Sequence, residues 1–174
     1  MKFFLKIFFL FFFTSFQVIY SQNIDNSIST NIYLIRHAEK DRTDISNKNP
    51  HLSDFGIIRS KYWNQVLKNV KFDKIYSTNL FRTKETALPL AESNNLELVI
   101  YNQINYSDFL KLNFGNNVLI VGHSNTIPII ANSLIGFEKY DLIDDHNNSN
   151  LYIVTIGPDG TISDKLLYVE LNKY

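Results

Sequence analysis

The chain has 174 residues, enough for one domain around a single buried core. Hydrophobic residues make up 45% of it, and 17 basic residues balance 17 acidic ones, which argues against the basic surface of a broad nucleic-acid binder. It contains no cysteine, which excludes a disulfide framework, a thiolate nucleophile and a Cys-ligated zinc.

Residues 1–21 read as a secretory signal peptide. Lys2 and Lys6 make a positive start, Ile7–Phe13 is an unbroken apolar run, and Ser21 is a small residue suited to cleavage. The run is shorter than the roughly 20 residues that span a bilayer, so cleavage is expected, with no stable membrane insertion afterwards. Cleavage leaves 15 basic and 17 acidic side chains, a charge of about −2. The expected address is the periplasm. Residues 22–30, rich in Ser and Asn, read as a flexible lead-in, and residues 31–174 as one domain.

Ile32–Ile35 is an apolar run bounded by polar residues, as in a strand buried on both faces, and it leads straight into Arg36-His37. A polar loop over 41–50 ends in Asn49-Pro50. Ser53 is the expected N-cap of a helix with Asp54 in its first turn. Ile57, Ile58, Tyr62, Val66 and Leu67 form its apolar face, Trp63 sits in the core, and the helix fades near Asn69. Lys74–Tyr76 is a short strand, and Ser77-Thr78-Asn79 is placed to cap a helix over Leu80–Glu92. Its predicted inner face is Leu80, Ala87, Leu88 and Ala91, with Pro89 as a late irregularity.

Leu96–Tyr101 reads as a third strand and Tyr106–Leu112 as a short helix broken by Gly115. Asn117–Gly122 is the clearest buried strand, followed by His123 and a helix that carries Pro128 in its first turn and stops near Gly136. Leu151–Ile156 and Leu166–Leu171 flank Gly157-Pro158-Asp159-Gly160, a hairpin turn by composition. Strands alternating with helices, then a hairpin, predict an α/β three-layer domain with a mostly parallel sheet and a closing antiparallel hairpin.

Basic groups recur where strands end: Arg36 and His37 after the first, His123 after the fourth, and Arg82 in the first turn after the second. If these strands are neighbours, all four side chains converge at the carboxyl edge of the sheet, where α/β folds bind ligands. Two guanidinium forks and two imidazoles beside helix N-termini suit a phosphate or another compact oxyanion.

Arg36-His37-Ala38-Glu39 resembles the Arg-His-Gly signature of the histidine phosphatase superfamily, the phosphoglycerate-mutase-like proteins. Leu52-Ser53 with Gly56 and Arg59, Tyr76-Ser77 through Arg82 to Thr86-Ala87, and Val121-Gly122-His123-Ser124 resemble its further motifs, in the same order. The resemblance covers about residues 31 to 135 and implies a phosphoglycerate-mutase-like fold. It also implies that His37 is a nucleophile forming a phosphohistidine, and that Arg36, Arg82 and His123 bind the phosphoryl oxygens. The adjacent positive charge keeps His37 neutral, and a backbone carbonyl or similar acceptor fixes its tautomer. No metal or other cofactor is called for.

The general acid stays open between three options. Glu39, two residues after His37, is preferred; its alternative role is an ion pair with Arg36 or Arg42. Asp108 is the only acid in the segment after the third strand, where many relatives carry theirs, and it also reads as a solvated surface charge. The third option is that no acid is used, which a good leaving group permits. Lys40 and Arg42 either meet anionic parts of a substrate or are solvated, and His51 and His146 read as exposed loop residues. Gly-His-Ser-Asn-Thr lacks the Gly-x-Ser-x-Gly pattern of a serine hydrolase.

The expected function is an exported phosphatase acting on a small phosphomonoester, a sugar phosphate or a lipopolysaccharide core phosphate. The competing readings are a degenerate phosphate-binding module and a phosphohistidine phosphatase.

Overall fold

A computed structural model of the chain describes residues 28–171. The predicted signal peptide and most of the lead-in lie outside the described residues. Six strands and four helices follow in the order β1 (Thr30–Arg36), α1 (Asp54–Val66), β2 (Lys74–Ser77), α2 (Phe81–Ser93), β3 (Leu98–Ile100), α3 (Tyr106–Leu112), β4 (Asn117–Gly122), α4 (Thr126–Ile135), β5 (Asn150–Ile156) and β6 (Ile162–Tyr168).

The strands make one sheet in the order β3-β2-β4-β1-β5-β6. β3, β2, β4 and β1 run parallel, whereas β5 pairs antiparallel with both β1 and β6. Side chains alternate across the sheet because the strand period is two. Ile32 and Leu34 join Val118, Ile120, Tyr152 and Val154 under α3 and α4. Ile35 joins Ile75, Leu119, Val121 and Leu151 on the other face, under Trp63 and Leu67 and under Ala87, Leu90 and Ala91 of α2. This is the predicted three-layer α/β domain with its closing hairpin.

The inner faces of the helices differ from the apolar pattern. On α1, Ile57, Ile58 and Val66 are exposed, while Gly56, Arg59, Ser60 and Trp63 are buried. The cause is close approach: a Cβ on Gly56 would lie 2.0 Å from the Glu39 carbonyl oxygen. α1 therefore turns its small and ion-paired residues inward. On α2, Leu88 is exposed and Leu90 is buried, together with Thr83 and Thr86. Those two hydroxyls are satisfied within the helix, Thr83 donating to the Leu80 carbonyl (2.9 Å) and Thr86 to that of Arg82 (2.6 Å), so their burial leaves no polar group unmet.

Ser53 caps α1 as expected, its hydroxyl accepting from Gly56 N, a bond worth about 1 kcal/mol. The Ser77-Thr78-Asn79 turn does not cap α2. Its N-cap is Leu80, without a side-chain bond, and Asn49 of the preceding loop accepts from Phe81 N at 2.9 Å. Gly136 ends α4 in the left-handed region at φ 85°, where glycine carries no Cβ penalty. β6 starts four residues earlier than the composition implies, because the tight turn pairs Ile156 directly with Ile162.

Candidate functional site

Strand register brings the predicted groups together. Arg36 pairs with Gly122 across β1 and β4, and His37 N donates to the Gly122 carbonyl (2.9 Å), extending the ladder one step. His37 and His123 thus leave adjacent strands side by side, with ring centroids 5.5 Å apart at 66°. β2 flanks β4 on the far side, with Ser77 opposite Val121, so Thr78 reaches His123 Nε2 at 3.1 Å. Arg82 follows in the first turn of α2. β4 lies between two strands whose helices turn back over the same edge, the position at which open α/β sheets bind ligands.

His37 is buried and held on three sides. Its Nδ1 lies 2.7 Å from the Ala38 carbonyl, which can only accept, so Nδ1 carries the hydrogen and Nε2 keeps the lone pair. Its own carbonyl accepts from Asn148 Nδ2 (2.8 Å), and the next amide, Ala38 N, donates to Thr86 Oγ1 (2.9 Å). Burial, then the charges of Arg36 and Arg82 and the neighbouring His123, lower its pKa to about 3, against the opposing pull of the Ala38 hydrogen bond. Burial, then Arg82, Arg36 and Lys40, lower His123 to about 4. Both rings are therefore neutral at pH 7. The Thr78 hydroxyl, itself 2.8 Å from Thr83 Oγ1, engages His123 at Nε2 and leaves Nδ1 for a ligand.

The two arginines carry buried donors with no partner among the described residues. These are Nε of Arg36 and both Nε and Nη1 of Arg82. A buried donor left unsatisfied costs about 1–3 kcal/mol, more when charged, so three in one cluster mark a built oxyanion site. Burial and the Arg36 charge also press the Arg82 pKa downward. The rest of the Arg36 guanidinium is fixed: Nη1 donates to the carbonyls of Asp144 (2.7 Å) and Asn147 (3.1 Å), and Nη2 to Asp145 Oδ1 (2.6 Å).

Glu39 borders the same space but is already engaged. Arg59 Nε donates to both of its carboxylate oxygens, at 2.8 and 2.9 Å, and Arg59 Nη1 continues to Ser149 Oγ (3.1 Å). Its ion-pair partner is thus Arg59, not Arg36 or Arg42, which instead share Asp145. Asp108 is exposed on α3, 4.0 Å from Lys111. His146 is exposed beside Asp144, and His51 pairs with Glu85 while stacking on Phe81.

Sequence reasoning missed the segment 144–149. It sets Arg36 through two carbonyls and a carboxylate, His37 through Asn148, and Arg59 through Ser149. The available signal was topological. A strand antiparallel to β1 begins where β1 ends, so the polar run Asp144-Asp145-His146-Asn147-Asn148-Ser149 ahead of β5 had to arrive at His37.

One cavity opens on His37 and another lies beside Thr126. The first, of about 270 Å³, is lined by Arg36, His37, Glu39, Lys40, Arg42 and Asp145 among others. The second, about 640 Å³, is neutral, walled by Tyr101, Asn102, Gln103, Asn105, Tyr106 and the Thr126 that caps His123 N. Among the described residues, no three or more His, Cys, Asp or Glu side chains gather as a metal site, and no helix is long and apolar enough to cross a membrane.

The family model described as histidine phosphatase superfamily (branch 1) matches residues 32–109, the stretch that holds Arg36, His37, Glu39 and Arg82. A solved protein histidine phosphatase SixA, complexed with tungstate, superposes with a TM-score of 0.64 at 14% identity, over 79% of this chain and 96% of that one. The fold is shared with that solved phosphatase, and the match to the superfamily model is confined to residues 32–109. A phosphoserine phosphatase of Entamoeba histolytica, solved with 3-phosphoglyceric acid, gives a TM-score of 0.60 at 19% identity over 82% of this chain and 98% of that one. Phosphoserine phosphatase 1 of Hydrogenobacter thermophilus is 38% identical over 72 residues, 39% of this chain. The match spans only 34% of that relative's length. These relatives are phosphatases.

Proposed function

We propose that the chain is an exported, metal-independent phosphomonoesterase that works through a phosphohistidine on His37. The observation that carries this reading is the Nδ1 contact of His37 with the Ala38 carbonyl, which leaves Nε2 as a neutral nucleophile among the unpartnered donors of Arg36 and Arg82. Nε2 attacks phosphorus, the P–O bond to the leaving alkoxide breaks, and the alkoxide takes a proton. Water then attacks the phosphohistidine, releasing phosphate and restoring the imidazole. Arg36, Arg82 and His123 bind the phosphoryl oxygens and meet the charge that spreads over them in the transition state. Glu39, on the cavity wall, is the proton donor in this reading, which requires Arg59 to release one of its oxygens. A sugar phosphate or a lipopolysaccharide core phosphate is the substrate class that fits an exported address.

The Arg59–Glu39 pair also favours a second reading. Because Arg59 Nε binds both Glu39 oxygens, the carboxyl group nearest His37 in sequence is committed. A substrate whose leaving group needs little protonation, such as phosphohistidine, suits such a site.

The test is phosphate release from p-nitrophenyl phosphate, sugar phosphates and a phosphohistidine peptide, with chelator present, by the wild type and His37→Ala. Release that needs a divalent metal, or survives loss of His37, would sink the mechanism. Binding without release would make the chain a phosphate-binding module instead.

A further inference from the structure

We propose that Asp145 and Arg42 act together as positioning residues for Arg36. The Asp145 carboxylate fixes the buried guanidinium so that its Nε edge meets the phosphoryl oxygens, and Arg42 balances the charge that does the fixing. The inference rests on the phosphate-binding part of the phosphatase reading, and it gives Arg42 a role that does not involve touching the substrate.

The first support is how the donors of Arg36 are divided. The hydrogens of Nη1 go to the carbonyls of Asp144 (2.7 Å) and Asn147 (3.1 Å), and one on Nη2 goes to Asp145 Oδ1 (2.6 Å). Nε–H and the other Nη2 hydrogen remain, and Nε is buried with no partner among the described residues. Nε and Nη2 border one edge of the guanidinium plane, and the spacing of such an edge matches two oxygens of a phosphate. Carbonyls on Nη1 alone hold the plane at one nitrogen; the bond to Nη2 holds it at a second and stops it swinging. The turn that carries the carboxylate is itself braced. Asn147 N donates to the Asp144 carbonyl (3.0 Å), His146 N to Asp144 Oδ1 (2.8 Å), and Asn148 Nδ2 to the His37 carbonyl (2.8 Å).

The second support is charge. Asp145 Oδ2 bridges Arg42 at 2.7 Å while Oδ1 bridges Arg36, so each carboxylate oxygen has its own guanidinium. Burial pushes the Asp145 carboxyl up, but hydrogen bonds from Arg36 and Arg42 outweigh it and hold the group below the usual carboxylate range, ionised at pH 7. A carboxylate paired with Arg36 alone would cancel much of the charge that attracts phosphate. With Arg42 as a second counter-charge, Arg36 keeps more of it. Arg42 and Asp145 are both exposed, where an ion pair adds little to stability, so the value of this pair lies in the site rather than in the fold. The sign of its effect separates this role from plain electrostatics. Asp145, Lys40 and Glu170 line the same cavity, and Asp145 acts on Lys40 as well. If the charge of Asp145 were all that counted, removing it would draw anions in more tightly. If it positions Arg36, removing it loosens them.

The experiment measures the Kd of inorganic phosphate by calorimetry, and kcat and KM for p-nitrophenyl phosphate, with thermal melts to confirm that each variant folds. Asp145→Ala is expected to bind phosphate about tenfold more weakly than the wild type, despite the loss of a negative charge. Asp145→Asn keeps an oxygen acceptor for Arg36 Nη2 and should stay within about threefold of the wild type. Arg42→Gln should weaken binding about threefold in the wild type and not at all in Asp145→Ala, because its effect passes through the carboxylate. Tighter phosphate binding by Asp145→Ala, or an Arg42→Gln loss of equal size in both backgrounds, overturns the positioning role while leaving the phosphatase reading intact. Phosphate affinities that follow the expected pattern without any release from p-nitrophenyl phosphate sustain the positioning role and overturn the phosphatase reading.

Discussion

The ends of β1 and β4 look alike in outline, yet they hold their histidines differently. At β1, the chain's own next carbonyl takes Nδ1 of His37, and Asn148 and Thr86 pin the two ends of the His37–Ala38 peptide. At β4, a neighbouring strand supplies the contact, with Thr78 on Nε2 of His123. One ring therefore presents Nε2 and the other Nδ1. The same residue type, one step past adjacent parallel strands, is thereby held through opposite ring nitrogens, which is the basis for the proposed roles of His37 as nucleophile and His123 as phosphate ligand. Although His37 is the more buried of the two, what separates their chemistry is which ring nitrogen the backbone or side-chain partner occupies, since both pKa values are depressed by burial and the same arginines.

The largest way to break this comparison is to remove each ring in turn. His37→Ala should lose turnover by about a thousandfold or more and form no acid-labile phosphoprotein. His123→Ala should lose about a hundredfold and still form it, as expected when one oxyanion ligand is deleted. Mass spectrometry of enzyme quenched during turnover separates the two outcomes; a phosphoprotein in His37→Ala would reverse the assignment.

The supports come next. Asn148→Ala strips the hydrogen bond from the buried His37 carbonyl and should cost about 1–3 kcal/mol of stability, read from denaturant unfolding. Gly56→Ala forces a Cβ against the Glu39 carbonyl and should destabilise by a similar amount, about 1–3 kcal/mol. Thr78→Val is subtler. It frees His123 Nε2 and should lower kcat/KM about tenfold, a loss of about 1.4 kcal/mol in transition-state binding, with little change in melting temperature.

The smallest effect is in pH dependence. Folded-state values of about 3 and 4 lie below the ordinary 6.5 of histidine, so the unfolded chain takes up protons first as pH falls. The stability that these neutral rings allow is complete above about pH 6.5 and is lost on descent towards their folded values. Carboxylates with lowered pKa values titrate in an overlapping range, so the diagnostic quantity is a difference. Melting temperature between pH 7 and pH 4 should fall less steeply in His123→Asn than in the wild type; equal slopes would show that the ring is not buried neutral.

Much of the site was legible in one dimension. Arg36, His37, Arg82 and His123 each stand where a strand ends or a helix begins, and local pattern suffices to find such ends. The helix faces were not legible in the same way. Apolar periodicity pointed to Ile57, Ile58 and Leu88, all exposed, because close approach to the β1 loop selected Gly56, Ser60 and an Arg59–Glu39 pair for the inner face of α1. Nor was the role of 144–149, since a polar loop acquires a function only from the strand it is delivered beside.

The sequence alone determined the α/β alternation, the buried strands, the closing turn and the identities of the four basic groups, because these follow from side-chain periodicity and turn chemistry along a continuous stretch. The tertiary structure decided the rest. The parallel register of β1 on β4 set two histidines face to face, and the antiparallel arrival of β5 brought Asp145 and Asn148 to them. The arrangement around Glu39 gave that carboxylate to Arg59. Those are contacts between residues far apart in the chain, and only the closed sheet determines which of them meet.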